Sequence, residues 1–286
     1  FSNESGLFEN KFSDRLSVDS FKKIFKTIFE NKGIKKVCQN GKYDIAVLRS
    51  IGIEVSNFYF DTMLASYVLD PDQKHGMDDL SEKYLDYKPI PLSDLIGQKK
   101  DPAKIFEVDL QSLSNYSAED ADVTYKLYTK LDNELKKEGI EKVAYDIEFP
   151  LVPVLADMEY EGIKIDMAAL KSFSKELQVL LENYTSEIFK VAGTEFNINS
   201  PKQLQEILFT KLNLAKGRKT GFSTDARSLE YLRGEHEIIE YILNYRQASK
   251  LKSTYADSLP NLINKKTGRV HTSFNQTIAS TGRLSS

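Results

Sequence analysis

The sequence predicts an α/β region followed by a mainly α-helical one. A short strand-like run, IKKVCQ, is set among amphipathic helices, strand-like runs nearly vanish after Gly139, and the charge balance reverses between front and back. Residues 201–286 carry 14 Lys and Arg against 7 Asp and Glu, which leaves 25 against 35 for residues 1–200. An acidic front and a basic back divide two roles between two regions. At 286 residues with 41% hydrophobic content, the chain is long enough for two domains that each bury a core.

The elements follow in order. In SVDSFKKIFKTIFENKG, Phe21, Ile24, Phe25, Ile28 and Phe29 recur at helical spacing and Gly33 follows the end, so an amphipathic helix is expected. IKKVCQ reads as a strand, KYDIAVLRSIG as a helix closed by Gly52, and FDTMLASYVLD as a helix stopped by Pro71. A looser stretch punctuated by Pro89, Pro91, Gly97 and Pro102 precedes a long helix from about Asp109 to Lys137. The glycine and charges of KKEGIEK place a boundary between 1–138 and 139–286. Beyond it, long helical patterns dominate. Ser200 is a candidate N-cap with Pro201 at the first helical position, and Ser223 or Thr224 is expected to cap STDARSLEYLRG.

Several function classes are excluded. Apolar runs such as DTMLASYVLD are broken by charge and fall short of the roughly 18 to 20 residues a bilayer span needs, so no membrane segment is expected. No secretory signal pattern opens the chain and the lone Cys38 has no internal disulfide partner, which together favour a cytoplasmic protein. A start at Phe1 and a finish at STGRLSS suggest an excerpt from a longer chain.

Two clusters of residues carry chemistry. On a helix, Tyr116 and Asp120 share a face, whereas Glu119 and Asp122 point elsewhere. A carboxylate that holds a divalent cation beside a phenol that positions water suits phosphodiester hydrolysis, in which two metals roughly 3.5–4 Å apart activate water and stabilise the leaving oxygen. Mg²⁺ fits such sites because it binds through one or two carboxylates and keeps water and phosphate oxygens for the rest. Taken alone, a tyrosine among acids is the ordinary composition of a solvated helix face. The second cluster is QNGKYDIAVL, where Asp44 sits at a strand-to-helix junction. Asn40 and Lys42 add polar reach and Tyr43 can pack or contact a base, while Asn-Gly followed by Asp can equally make a turn and a cap.

Together, N-x-K-Y-D (Asn40–Asp44) and Y-x-A-E-D-A-D-V-T (Tyr116–Thr124) resemble the second and third motifs of the proofreading 3′→5′ exonuclease domain of bacterial family A DNA polymerases. Such domains belong to the DEDDy exonuclease superfamily and have an RNase H-like α/β fold. The resemblance runs through FDTMLASYVLDP and HGMDDLSEKYL. It implies that Asp44 and Asp120 bind metal, that Tyr116 orients the nucleophilic water, and that Glu119 and Asp122 are structural or solvated. Asn40 and Tyr43 are implied as contacts to DNA. The family's first motif, D-x-E on an early strand, has no counterpart here, and Glu4 and Glu9 lie in a polar context that suits it poorly. The excerpt is therefore expected to hold half of a metal site, with a truncated sheet whose edge favours self-association or reduced stability.

The back region resembles the same family. IEFPLVPVLADMEYEGIKID (147–166) is similar to the entry into the polymerase portion, and YRQASKLKSTYADSLPNLINKKTGRVHTSFNQTIASTGRLSS (245–286) to the end of the helical thumb and the start of the palm. Arg246 and Lys250, four apart on a helix face, match thumb residues that grip the primer–template duplex, where each neutralised phosphate releases counterions. Arg283, in T-G-R, matches the arginine that reaches the minor-groove side of the primer terminus; its guanidinium can read acceptors that every base pair presents. Lys211, Lys216, Arg218 and Lys219 resemble the thumb tip. His271 is expected to be structural, and the polar members of 271–276 to face DNA.

The resemblance thus implies 1–138 as an exonuclease domain lacking its first motif and 139–286 as thumb with the beginning of the palm. The parent would be a DNA-directed DNA polymerase of replication and repair. It would use Mg²⁺, for which Mn²⁺ substitutes, and dNTP substrates, and would be monomeric and nucleoid-associated in the cytoplasm. DNA would be the partner, as a single-stranded 3′ end in the exonuclease site and as duplex on the thumb, with no membrane involved. The palm carboxylates of nucleotidyl transfer would lie past TGRLSS, so the chain alone is expected to be catalytically incomplete. Two alternatives stay open: a stand-alone DEDDy exonuclease, and a nucleic-acid-binding module whose exonuclease site no longer functions.

Overall fold

In the computed structural model, which describes residues 16–97, 101–214 and 221–286, the chain packs as two units. One takes residues up to Glu161 together with Thr272–Ser286, and the other takes Gly162–His271. Glu4, Glu9, Lys216, Arg218 and Lys219 lie outside the described residues.

In the first unit, helix α1 (Val18–Phe29) starts where Ser17 Oγ accepts the Ser20 N–H at 3.1 Å. Its Phe21 and Phe25 rings stack 4.7 Å apart, yet none of its residues is buried. Strand β1 (Lys36–Cys38) runs parallel to β2 (Phe58–Asp61), with Val37 opposite Phe60 and Cys38 opposite Asp61. Parallel neighbours need a crossover, and α2 (Gly41–Ser50) supplies it. The start of FDTMLASYVLD is thus strand rather than helix. Aromatic Phe58, Tyr59 and Phe60 favour the pleat, and Asp61 then caps α3 (Thr62–Leu69) by accepting the Met63 N–H at 2.9 Å. Helix α4 (Met77–Leu85) and the long α5 (Leu110–Glu138) follow.

Helix α5 buries Val123, Leu127, Leu131 and Leu135, a four-residue repeat that forms one stripe. This stripe meets Phe60, Leu64 and Leu80 in a single core. Each such side chain contributes about 1.5–3 kcal/mol on full burial. Gly139, in the left-handed region at φ +70°, ends α5 as the sequence implies. The packing does not divide there, however. A π turn at Ala144–Glu148 leads into α6 (Phe149–Glu161), whose Phe149, Val152 and Ala156 return to the same core, with the Phe149 ring tilted against Phe60 at a centroid distance of 4.7 Å. Residues 139–161 therefore pack with the front of the chain, because their apolar face completes the core around Phe60.

The second unit is helical. Helix α7 (Met167–Ala192), capped by Asp166, packs against α9 (Glu237–Lys250). Ile188, Leu204, Leu208, Leu229 and Ile239 fill its core. Ser200 caps the helix that begins at Pro201, as expected. At α8 (Ala226–Tyr231) the cap is Asp225, which accepts the Ser228 N–H at 2.7 Å, not Ser223 or Thr224; Ser223 Oγ instead braces the Asp225 carboxylate at 2.9 Å. The unit closes on itself where Ile163 and Val270 exchange two backbone hydrogen bonds of 2.9 Å. Gly162 turns the chain there at φ +62°, and a Cβ on it would lie 2.7 Å from the Val270 carbonyl oxygen. No described helix is long and apolar enough to cross a membrane.

Candidate active site

Asp61 organises the turn that presents Asp44. Its buried carboxylate accepts the N–H groups of Asn40 at 3.2 Å and Gly41 at 2.7 Å, and also caps α3 through Met63 and Leu64. Asn40 adopts the left-handed conformation, φ 57° and ψ 45°, which an asparagine tolerates. A Cβ on Gly41 would fall 2.6 Å from both Cys38 Cβ and Phe58 Cε2, so only glycine fits between the strands. With its first turn fixed in this way, α2 directs Asp44 into a cleft of about 600 Å³. Asp120, midway along α5, lines the same cleft, with Cys38, Gln39, Met77 and Thr124 among its walls. Tyr43 is on its rim, 68% exposed.

The site is electrostatically reluctant to hold bare charge. Burial, and then the neighbouring Asp61, push the Asp44 carboxyl up to about 6. Burial does the same for Asp120, also to about 6; the Tyr116 hydroxyl bond opposes the rise, and Glu119 and Asp78 add to it. Burial and the Asp120 charge raise Tyr116 to about 12, so at neutral pH the phenol keeps its proton beside Asp120. Burial beside Asp44 and Asp61 also pushes the Cys38 thiol up, which makes it an inert wall of the cleft.

One oxygen of Asp120, Oδ1, is buried without a hydrogen-bond partner. An orphaned carboxylate oxygen of this kind suits a hard cation, which binds oxygen ligands and cancels the penalty on both acids. The donor set fits a divalent ion of the Mg²⁺ type in part. Asp44 and Asp120 face one cleft, while no group of three or more His, Cys, Asp or Glu suited to a metal occurs among the described residues.

Glu119 and Asp122 sit apart from this chemistry. Glu119 accepts the Tyr87 hydroxyl and, at 2.7 Å, the Ile90 N–H, and Asp122 pairs with Lys126 on the helix surface.

The basic residues differ from one another in setting. Arg246 and Lys250 share a line on α9, but Lys250 is exposed whereas Arg246 is half-buried, with Nη1 donating to the Thr224 carbonyl. Burial lowers the Arg246 pKa, and the side chain lines a second cavity of about 600 Å³ with Lys202, Gln205 and Phe222. Lys252, displaced from that line, is engaged by Asp257 at 2.7 Å. Arg283 belongs to the first unit and is exposed. Its turn is held by Tyr67, whose hydroxyl donates to the Ala279 carbonyl at 2.6 Å and accepts the Gly282 N–H at 3.1 Å. Of the polar stretch expected to face DNA, Gln276 turns inward instead, because its side-chain amide bonds the Glu148 carbonyl and carboxylate at 3.1 and 2.6 Å. His271 is held by Thr267 at 2.7 Å, in keeping with a structural histidine.

Sequence reasoning missed Asp61 and Glu159. Asp-Thr ahead of the apolar run MLASYVL is an N-cap signature that pointed to Asp61. Nothing local marked Glu159, whose partners are more than a hundred residues away in sequence.

Residues 7–136 match the family model described as 3'-5' exonuclease, and residues 167–286 match DNA polymerase family A. Between them these matches take in most of the chain, which is similar to the family A DNA polymerases and has an RNase H-like exonuclease domain followed by a helical thumb region. Its curated relatives are DNA polymerase I proteins: from Borreliella burgdorferi, 45% identical over 92% of this chain and 28% of the relative; from Rhizobium leguminosarum, 44% over 98% and 28%; and from Synechocystis, 43% over 96% and 28%. The chain thus spans little more than a quarter of the length of these relatives. Among solved structures, the POL domain of Pol1 from M. smegmatis, in complex with DNA primer-template and dNTP, superposes with a TM-score of 0.78 at 29% identity, over 96% of this chain and 45% of that one.

Proposed function

We propose that this chain is the exonuclease and thumb portion of a DNA polymerase I that replicates and repairs DNA and proofreads at a separate hydrolytic site. The observation that carries the hydrolytic reading is the convergence of Asp44 and Asp120 on one cleft, with Asp120 Oδ1 unpaired and Tyr116 one helical turn before Asp120. In this reading Asp44 and Asp120 hold Mg²⁺, or Mn²⁺ in its place. When bound there, the metal supplies a polarised water and neutralises charge on the phosphodiester. Tyr116 keeps its proton, anchors to Asp120 and orients the attacking water. Tyr43 borders the cleft and, with Asn40 in the turn before it, receives a single-stranded 3′ end.

The division of labour proposed is 1–138 for excision and 139–286 for the polymerase thumb with the start of the palm. Lys250 and Arg246 follow the duplex backbone, and Arg283 approaches the primer terminus; DNA and dNTP are the polymerase's substrates. A bacterial cytoplasmic setting at the nucleoid follows from the same reading. Because the described residues bring two carboxylates rather than four to the cleft, the chain by itself is proposed to be catalytically incomplete.

The test is release of the 3′ nucleotide from end-labelled single-stranded DNA in Mg²⁺, by the whole polymerase and by its Asp120→Ala variant, with primer extension measured alongside. Loss of excision with extension spared is expected. Equal loss of both would refute the assignment of Asp120 to a separate site.

A further inference from the structure

Outside the cleft, two donors converge on one carboxylate oxygen. Lys42 Nζ lies 2.5 Å from Glu159 Oε1 and also donates to the Phe274 carbonyl, while the Phe274 N–H donates to the same Glu159 oxygen at 2.6 Å. The node joins α2, α6 and the 272–286 stretch, all within the first unit. Its side chains are largely enclosed, Lys42 being 15% and Glu159 19% exposed, so water screens the charge-assisted bonds little. Seven residues along α2, on the same face, Arg49 reaches Asp157 at 2.6 Å. One face of α2 is thereby bolted to α6. Asp44, two residues from Lys42, projects from the opposite face into the cleft.

The Phe274 side of the node leads to Arg283. Asn275, the next residue, exchanges two backbone hydrogen bonds with Ser285, at 2.7 and 3.0 Å, and Arg283 sits in the turn that this pairing closes. Lys42 lies in the stretch matched to exonuclease and Phe274 in the stretch matched to polymerase.

We propose that Lys42 is a positioning residue which, through Glu159 and Phe274, holds the Asp44 helix and the paired strand ends bearing Arg283 in one register, so that a disturbance on either side is transmitted to the other. The functional consequence rests on the reading of Asp44 and Arg283 above. The mechanical one does not.

Amide hydrogen exchange of this chain tests the mechanical claim. Lys42→Met, which keeps the apolar stem and removes the ammonium, is expected to speed exchange at Asn275 and Ser285 about tenfold, as well as around residues 40–44. Lys42→Arg restores protection. Arg49→Met, which loosens α2 without touching Phe274, accelerates exchange in α2 alone. Changes in Lys42→Met confined to α2, or reproduced at Asn275 and Ser285 by Arg49→Met, would overturn the proposal. Glu159→Gln keeps an acceptor for the Phe274 N–H and serves as the second variant should Lys42→Met fail to fold. In the whole polymerase, Lys42→Met is expected to slow excision and raise the KM for primer–template, and an unchanged KM would overturn the functional consequence. Asp120→Ala judges the site assignment independently, since it touches excision alone.

Discussion

The Gly41 N–H points into the carboxylate of Asp61, 2.7 Å away and sealed from water, so the helix that carries Asp44 starts at a point fixed by the end of the neighbouring strand. The same carboxylate also takes N–H groups from Asn40, Met63 and Leu64. Asp61→Ala strands four donors and is expected to lower stability by about 3 kcal/mol or more. Asp61→Asn, which keeps one acceptor oxygen, falls between. Urea melts of the three proteins check the order, and a wild-type midpoint in Asp61→Ala would show that solvent or a shifted backbone replaces the cap.

Asp44 and Asp120 carry carboxyls raised from 3.8 to about 6. A carboxyl whose folded pKa exceeds its unfolded one favours the fold when protonated. Its stabilising contribution is complete below the unfolded value and is lost as pH rises through the folded one. Asp44→Asn or Asp120→Asn should therefore raise Tm near pH 7.5, by the equivalent of about 1 kcal/mol after discounting for solvent screening, and change it little near pH 4. Metal-free thermal melts at both pH values decide this; equal stabilisation at both would point to repacking rather than relief of charge.

The Tyr116 hydroxyl holds the Asp120 pKa down against burial. In Tyr116→Phe the Asp120 pKa rises further, so the acid limb of the excision rate profile in the whole polymerase shifts to higher pH and the plateau also falls. A lower plateau with an unmoved limb would leave Tyr116 a role in positioning water but none in tuning Asp120.

Lys250 and Arg246 separate by their surroundings. Lys250→Ala should reduce the salt dependence of duplex DNA binding by about one phosphate's worth and leave the melt unchanged. Arg246→Ala should do the same and also cost about 1 kcal/mol, since the Thr224 carbonyl loses its donor. Anisotropy titrations across salt, paired with melts, distinguish the two; identical melts for both variants would contradict the packing role of Arg246.

The helices of this protein were legible because their signals are local. Ser17, Ser200 and Gly139 do at the ends of their helices what their chemistry dictates, and the Leu127, Leu131 and Leu135 repeat announces its buried stripe. Tyr116 and Asp120 were legible as a pair because four residues make one helical turn. Strand β2 was not, since Phe58–Asp61 abuts an apolar helix and the two periods blur over so short a run. The packing boundary was hidden for a different reason. Gly139 does end a helix, but whether the chain then leaves or returns depends on Phe149 finding Phe60, a contact between distant residues. Gln276 looked like a strand residue that faces outward, and its partner Glu148 lies on the far side of the second unit in sequence.

The anchoring of Tyr87 and Ile90 by Glu119 bears on how mutational scans of this site are read. Glu119 immediately precedes Asp120, and its loss frees the segment that leans on that turn of α5. An alanine scan scored on excision alone would therefore flag Glu119 beside Asp120, and the two would look like a pair of catalytic acids. Scored on thermal stability as well, they part company: Glu119→Ala softens the fold, whereas Asp120→Ala, which removes a buried charge with an unmet oxygen, does not.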